Sequence, residues 1–316
     1  MITSRRDLVT EVYSPTGWSD ISTDVRQVDG VSIVEGARDE AGETQPTKVT
    51  LTLRNQSGHY FPSNPLSPVR LRRNMPMRLS LRDVRAEFAG TAVNGWAGTD
   101  TGDVWVPYNY ASLANFAESD GVATHSGMAA NGYRLSYLDD VQAGPVRARV
   151  VWSLPAISDV TGGDLEPGTL ALHLSAPTTY YQVRAVVDSA ESIELWIVRM
   201  EAGSEVMMGS AVTPYTYTAG SMWVTVAEVE GNTVRGKIHP FTDSEPLTWG
   251  LETTDDDPLP IGSGGIRSGR ASGNTNNPTF AYHSYELVRP LAQVGLSSIK
   301  PRRAAGGTAG TRTRRL

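Results

Sequence analysis

The sequence has 316 residues, with 34 acidic against 28 basic side chains and no cysteine. That length fits two ordinary domains or one large one, and the missing cysteines exclude a disulfide framework, a thiolate nucleophile and thiolate zinc sites. No stretch approaches the roughly 20 uninterrupted apolar residues of a membrane span, and the N-terminal MITSRRDLVT lacks the apolar core of a signal peptide, so no membrane insertion is expected.

Charge is unevenly spread: residues 1–88 carry net +1, residues 89–299 net −13 and residues 300–316 net +6. An acidic body lacks the cation surplus that phosphate contacts require, so no nucleic acid is expected as its partner.

Glycine and proline recur every eight to twelve residues between short runs rich in Val, Thr, Tyr and Trp, the pattern of an all-β chain. In KVTLTL the alternation places Val49, Leu51 and Leu53 on one face of a strand. In YYQVRAVVDS it does the same for Tyr181, Val183, Ala185 and Val187. ESIELWIVRM follows, with Ile193, Leu195 and Ile197 opposite Trp196 and Val198, so Asp188–Glu191 connects a hairpin. MWVTVAEVEGNTVRGKI forms a second hairpin about Glu230-Gly231-Asn232. The glycine-rich run 258–279 reads as a strand flanked by loops. A closing strand over Phe280–Val288 sets Phe280, Tyr282 and Ser284 against Ala281, His283 and Tyr285. These elements divide the chain into an N-terminal β domain (1–88), a β-sandwich (89–295) and a basic, flexible tail (296–316).

Two motif series then carry a resemblance. The first runs through Trp18-Ser-Asp20-Ile21, Leu51-Thr-Leu53-Arg-Asn55, Gly58-His-Tyr60-Phe61-Pro62-Ser63-Asn64-Pro65 and Arg73-Asn74-Met-Pro76-Met-Arg78. Its order resembles the N-terminal domain of minor tail proteins of actinobacterial tailed phages, from which it departs at Phe61-Pro62-Ser63. The second runs through Gly95-Trp96-Ala-Gly98, Gly102-Asp-Val-Trp105, Gly231-Asn232, Glu245-Pro-Leu-Thr-Trp249, Gly265-Ile266-Arg267-Ser268-Gly269 and Gly273-Asn274-Thr275-Asn276. It is similar to the laminin-G-like, concanavalin-like jelly rolls carried by many such tail proteins. The resemblance implies an N-terminal β-sandwich or barrel ring domain that docks into a tail, followed by a jelly roll of two face-to-face antiparallel sheets. In architecture the pair also resembles the distal tail protein of long-tailed phages. The implied setting is a virion tail tip, with tail tube, hub and tip proteins as partners and a homo-oligomeric ring of six, or of three, as the assembly.

Candidate site residues follow from chemistry. Sugar binding needs aromatic faces for pyranose rings and neighbouring polar groups for hydroxyls, and Trp105, Tyr108, Tyr110 and Tyr180 are the candidates, with core packing as the competing role of each. Trp105, Tyr108 and Tyr110 are expected on one face around Pro107. Arg70, Arg72, Arg73, Arg78, Arg82 and Arg85 stand against one acid, Asp83, over residues 70–85 and are expected to pair with carboxylates of neighbouring subunits. Asp255, Asp256 and Asp257 supply hard oxygen ligands for calcium, with a solvated acidic turn as the competing reading. The five histidines, His59, His125, His173, His239 and His283, are too dispersed for a local metal site and read as structural or exposed. No catalytic residues are assigned: the Glu-x-Asp-x-x-Glu strand signature of laminarinase-type hydrolases is absent, and Glu191 with Glu194 reads as a solvated edge. The expectation is a non-enzymatic tail-tip protein whose sandwich binds host-surface glycan or scaffolds adjacent proteins. A polysaccharide hydrolase and a free lectin-like adhesin are the alternatives.

Overall fold

The computed structural model describes residues 7–26, 31–34, 48–55, 58, 60, 64, 67, 69–109, 111–139, 141, 144–154 and 162–296. Tyr110, His59 and the tail from 297 onward lie outside the described residues.

The described residues form strands joined by turns, with two short 3-10 turns at Ser22–Asp24 and Leu113–Asn115. The N-terminal part holds β1 (Asp7–Ser14), β2 (Gly17–Asp20), β3 (Ser32–Val34), β4 (Lys48–Thr50) and β5 (Pro76–Ala86). Next come β6 (Trp105–Tyr108), β7 (Phe116–Ser119), β8 (Val122–His125), β9 (Gly132–Leu138) and β10 (Val146–Ser153). The long hairpins follow as β11 (Leu165–Ala176), β12 (Thr179–Val187), β13 (Ser192–Glu201) and β14 (Ser204–Thr216). The chain continues with β15 (Trp223–Glu230), β16 (Thr233–Pro240), β17 (Leu251–Thr254), β18 (Ser263–Arg270) and β19 (Phe280–Gly295).

Two antiparallel sheets pack face to face as a β-sandwich. The first is ordered β17-β16-β15-β10-β19-β5-β1-β2, with β8 and β7 added along the start of β19; the second is ordered β14-β13-β12-β11-β18-β9-β6. Period-two alternation explains which side chains fill the space between them. Tyr181, Val183, Ala185 and Val187 of β12 and Ile193, Leu195 and Ile197 of β13 all enter the main core, as their spacing predicts. The expected turns lie between β12 and β13 and between β15 and β16, where Gly231 takes the left-handed conformation (φ 60°) that a two-residue hairpin demands. The glycine-rich run holds β18, with every residue buried.

The closing strand departs from simple alternation. Phe280, Tyr282, Tyr285 and Leu287 all face the main core, although Tyr282 and Tyr285 have opposite parity. The reason is a bulge: Val151 of β10 pairs with Ser284 and Trp152 with Tyr282, so His283 is the extra residue and resets the phase.

β5 and β19 run through two hydrophobic cores. Val84 and Ala86, with Tyr285 and Leu287, belong to the sandwich core. Met77 and Leu79, with Leu291 and Val294, belong to a second core built on Val12, Ile21, Tyr60, Val69 and Leu71. Val49, Leu51 and Leu53 pack on that second core, as their alternation predicts. The position 88/89 therefore lies just past β5, whose ladder partner β19 is the last strand of the sandwich.

Candidate functional site

The outer face of the second sheet, pointing away from the first, gathers aromatic and polar side chains from all seven of its strands. On β6 and β9 the residues opposite the core-facing Trp105 and Leu138 are Tyr108, Tyr133, Leu135 and Tyr137. Leu135 is fully buried, and the three tyrosines are half-buried over a small apolar cluster of Leu135, Ala171, Leu174, Tyr180 and Met200. Burial pushes the Tyr133 and Tyr137 hydroxyls up, and the nearby Tyr108 adds to the shift of both, so the three rings form one strip.

Beside the strip lies a polar network. Arg267 of β18 sits over the Tyr133 ring at 4.7 Å from its centroid and is ion-paired to Glu166 of β11. Gly269, next on the same face, leaves the room that the Glu166 carboxylate occupies. Arg184 of β12 reaches Glu166 at 3.2 Å, donates from Nε to Gln182 Oε1 at 2.5 Å and is ion-paired to Glu205 of β14. Burial works against the charge of Glu166, yet Arg267 and Arg184 outweigh it and hold this carboxyl below its usual range. Trp196 of β13, half-exposed, donates to Glu194 at 2.7 Å on the same face.

Four polar atoms of this face are buried without a hydrogen-bond partner among the described residues: Thr169 Oγ1, Tyr180 Oη, Gln182 Nε2 and Arg267 Nε. In register, Thr169 is directly opposite Arg267 and Ala171 opposite Gln182, so the four lie on neighbouring strands. Their side chains are all at least nine-tenths buried. Orphaned buried groups are uncommon, and these four are gathered on one face of the sheet.

The sugar-binding candidates divide. Tyr108 lies on this face. Trp105 does not: three positions away, it has opposite parity, is 4 % exposed and packs against Phe88, Trp96 and Tyr285 in the main core. That corrects the expectation of a shared face around Pro107. Tyr180 points outward as its parity predicts, but is wholly buried beneath its neighbours, so its ring cannot stack on a sugar. Tyr133, Tyr137, Trp196 and Arg267 were not anticipated; the four-residue spacing of Tyr133 and Tyr137 within β9 was the available signal.

Arg78, Arg82, Arg85 and Asp255 are paired within the chain. On the outer face of the first sheet, Arg78 is ion-paired to Glu11 at 2.6 Å and Glu245 at 2.8 Å, with Trp18 stacked on it at 4.3 Å. Arg82 pairs with Glu286 at 2.7 Å and Arg85 with Glu87 at 2.8 Å. The carboxylates that answer these three come from this chain, which corrects the expected pairing across subunits. Arg72 and Arg73 are exposed and Arg70 is half-buried ahead of β5.

Asp255 turns inward, accepting from the Tyr181 hydroxyl at 2.7 Å and pairing with Arg199 at 2.9 Å, while Asp256 and Asp257 stay exposed. Asp255 thus answers a guanidinium, where calcium was expected, and among the described residues no group of three His, Asp or Glu side chains is arranged to hold a metal. The described histidines are structural: His125 is bracketed by Ser268 (2.8 Å) and Ser136 (2.9 Å) and stacked on Trp96. Burial first, and Arg134 second, hold it neutral. His173, His239 and His283 bond Leu259 O, Pro240 O and Ser153 Oγ.

No protein-family model matches the chain, and no curated protein sequence does. Solved structures do. The carbohydrate-binding module CBM66 from Bacillus subtilis is 11% identical at a TM-score of 0.39, over 57% of this chain and 91% of that one. A β-1,3-1,4-glucanase (lichenase) derived from a mouse hindgut metagenome is 10% identical at 0.45, over 66% and 98%. The CBM2 module of the evolved Dit of Lactobacillus casei BL23 phage J-1 is 10% identical at 0.44, over 67% and 96%. At these scores none of the likenesses bears on what this chain does.

Proposed function

We propose that this chain is a non-enzymatic glycan-binding protein, and that the outer face of its second sheet is the binding surface. The observation that carries the reading is the tyrosine strip Tyr108, Tyr133 and Tyr137 lying beside four buried polar atoms that lack partners among the described residues. Half-buried rings held by a packed cluster offer apolar faces at low entropic cost, and the orphaned groups suit hydroxyls and the waters they bring. Two of the carboxylates on this face, Glu166 and Glu205, are tied up in ion pairs with arginines, which takes from them the freedom a general acid or base needs.

The tail-tip setting rests on the N-terminal motif series. In this reading β1, β2 and β5 form the docking side, the assembly is a ring of six or three, and the sandwich is displayed on the virion to meet the host surface. Weak single-site binding would then gain by avidity from many copies.

The test is retention of the whole chain, alone and multimerised, on host envelope polysaccharide, beside variants Tyr108→Ala and Tyr137→Ala. Retention by the parent that the variants lose supports the reading; no retention of either form overturns it. Electron cryo-microscopy of particles tests the setting, since absence of this chain from the tail tip overturns it.

A hydrolase is the second reading, favoured by one observation. Asp164 has its carboxyl raised by burial and then by Asp188, Glu194 and Glu166, the direction a general acid needs. Release of reducing sugars from host envelopes, abolished by Asp164→Asn or Glu194→Gln, would replace the binding reading.

A further inference from the structure

The electrostatics of the outer face define which glycan it accepts. Among the described residues two cations stand on it, Arg184 and Arg267, and both are engaged: Arg267 with Glu166, and Arg184 with Glu166 and Glu205. Against them stand Glu166 and Glu205, then Glu194 on β13, and Asp164 and Asp188 at the same end of the sheet. Asp139 adds negative charge next to Tyr137. The tyrosine strip is thus flanked by carboxylates, and no described arginine on the face is left over to receive an anion. The acidic body, net −13 over residues 89–299, extends the same sign beyond the site.

The four orphaned polar atoms are donors or hydroxyls with no ionic preference of their own, apart from Arg267 Nε, whose guanidinium already has its carboxylate. A carboxylate or phosphate on an incoming sugar would meet uncompensated like charge while gaining no free cation. A sugar hydroxyl meets no such cost.

We infer that the ligand of this face is a glycan free of carboxylate and phosphate groups. The inference rests on the glycan-binding reading of the same face.

The experiment divides host envelope polysaccharide on an anion exchanger into neutral and acidic fractions and measures binding of the full chain to each across a range of salt concentrations. The neutral fraction is expected to bind at least about tenfold more tightly at low salt, and added salt should narrow the gap by screening the repulsion. The double variant D164N/E194Q should narrow it too, by strengthening acidic binding; the amide that replaces the Glu194 carboxylate retains an oxygen for the Trp196 donor. Tighter binding of the acidic fraction, weakening as salt rises, would overturn the inference and leave the glycan reading standing. Binding of neither fraction would overturn both. The salt series on the parent chain decides the matter even if the double variant does not fold.

Discussion

The Tyr180 hydroxyl is buried without a partner among the described residues, and burial pushes it up to about 12. An orphaned hydroxyl costs free energy, so Tyr180→Phe should leave stability unchanged or raise it by up to about 1 kcal/mol. Urea unfolding midpoints check this. If the orphaned groups serve ligand hydroxyls, the same variant should weaken glycan retention a few-fold, a combination that a purely structural tyrosine would not give. Tyr137 differs because its half-exposed ring would itself be the contact surface under the proposed reading. Tyr137→Ala should weaken retention about tenfold, or ~1.4 kcal/mol, with the fold intact by circular dichroism.

Parity was legible at this scale and depth was not. Alternation places Tyr180 on the correct side of β12. Its complete burial depends on Leu135, Ala171 and Met200 arriving from three other strands, a long-range fact absent from any local window. Trp105 fails for the opposite reason, since grouping it with Tyr108 ignores a three-residue offset that reverses direction in a strand. Composition makes the arginine run a surplus of cations. Its answering acids, Glu11, Glu245 and Glu286, lie 67, 167 and 204 positions away from Arg78 or Arg82.

Elements meet their expectations where the pattern is local. The two hairpins, the strand hidden in the glycine-rich run and the alternating faces of β12 and β13 all follow from turn chemistry and periodicity. What escapes is the loop 241–250, whose Glu245 is held by both Arg78 of β5 and Lys237 of β16, at 2.8 and 2.9 Å. It straps the N-terminal strands to the far side of the same sheet, and Ser244 packs on Gly17, where an added Cβ would stand 2.9 Å from the serine Cβ. Glu245→Ala should destabilise by about 3 kcal/mol, because it leaves buried Lys237 and half of the Arg78 fork uncompensated. Burial opposes ionisation of Glu245, but Arg78 and Lys237 hold its carboxyl far below the ordinary 4.5. A depressed carboxylate stabilises fully above its unfolded value and loses that contribution as pH falls toward its folded one. The stability gap between parent and Glu245→Ala should therefore be constant above about pH 5 and shrink below it, as denaturant titrations at several pH values would reveal.

At the scale of the whole molecule, the division into an N-terminal unit and a sandwich meets a continuous sheet. β5 is bonded on one side to β1 and on the other to β19 from Ala86 to Pro76, and it contributes Val84 and Ala86 to the sandwich core, with Phe88 immediately after it. A chain begun at 89 would lose those three core residues and leave the length of β19 from Tyr285 onward without its partner on that side. Large-to-small losses in a packed core cost several kcal/mol, and an uncovered strand edge with alternating apolar residues invites association. Residues 89–295 alone should thus melt well below the full chain and aggregate on concentration. Residues 76–295, which keep β5 and with it Val84, Ala86 and Phe88, should recover much of the melting temperature even with β5 as the new uncovered edge. Comparing the two by differential scanning calorimetry and size-exclusion chromatography separates the possibilities. Equal stability of both fragments would mean that β5 belongs energetically to the N-terminal core of Val12, Leu79 and Met77. A large difference would mean that β5 belongs energetically to the sandwich, so that the N-terminal strands and the sandwich are coupled directly through the β5–β19 ladder.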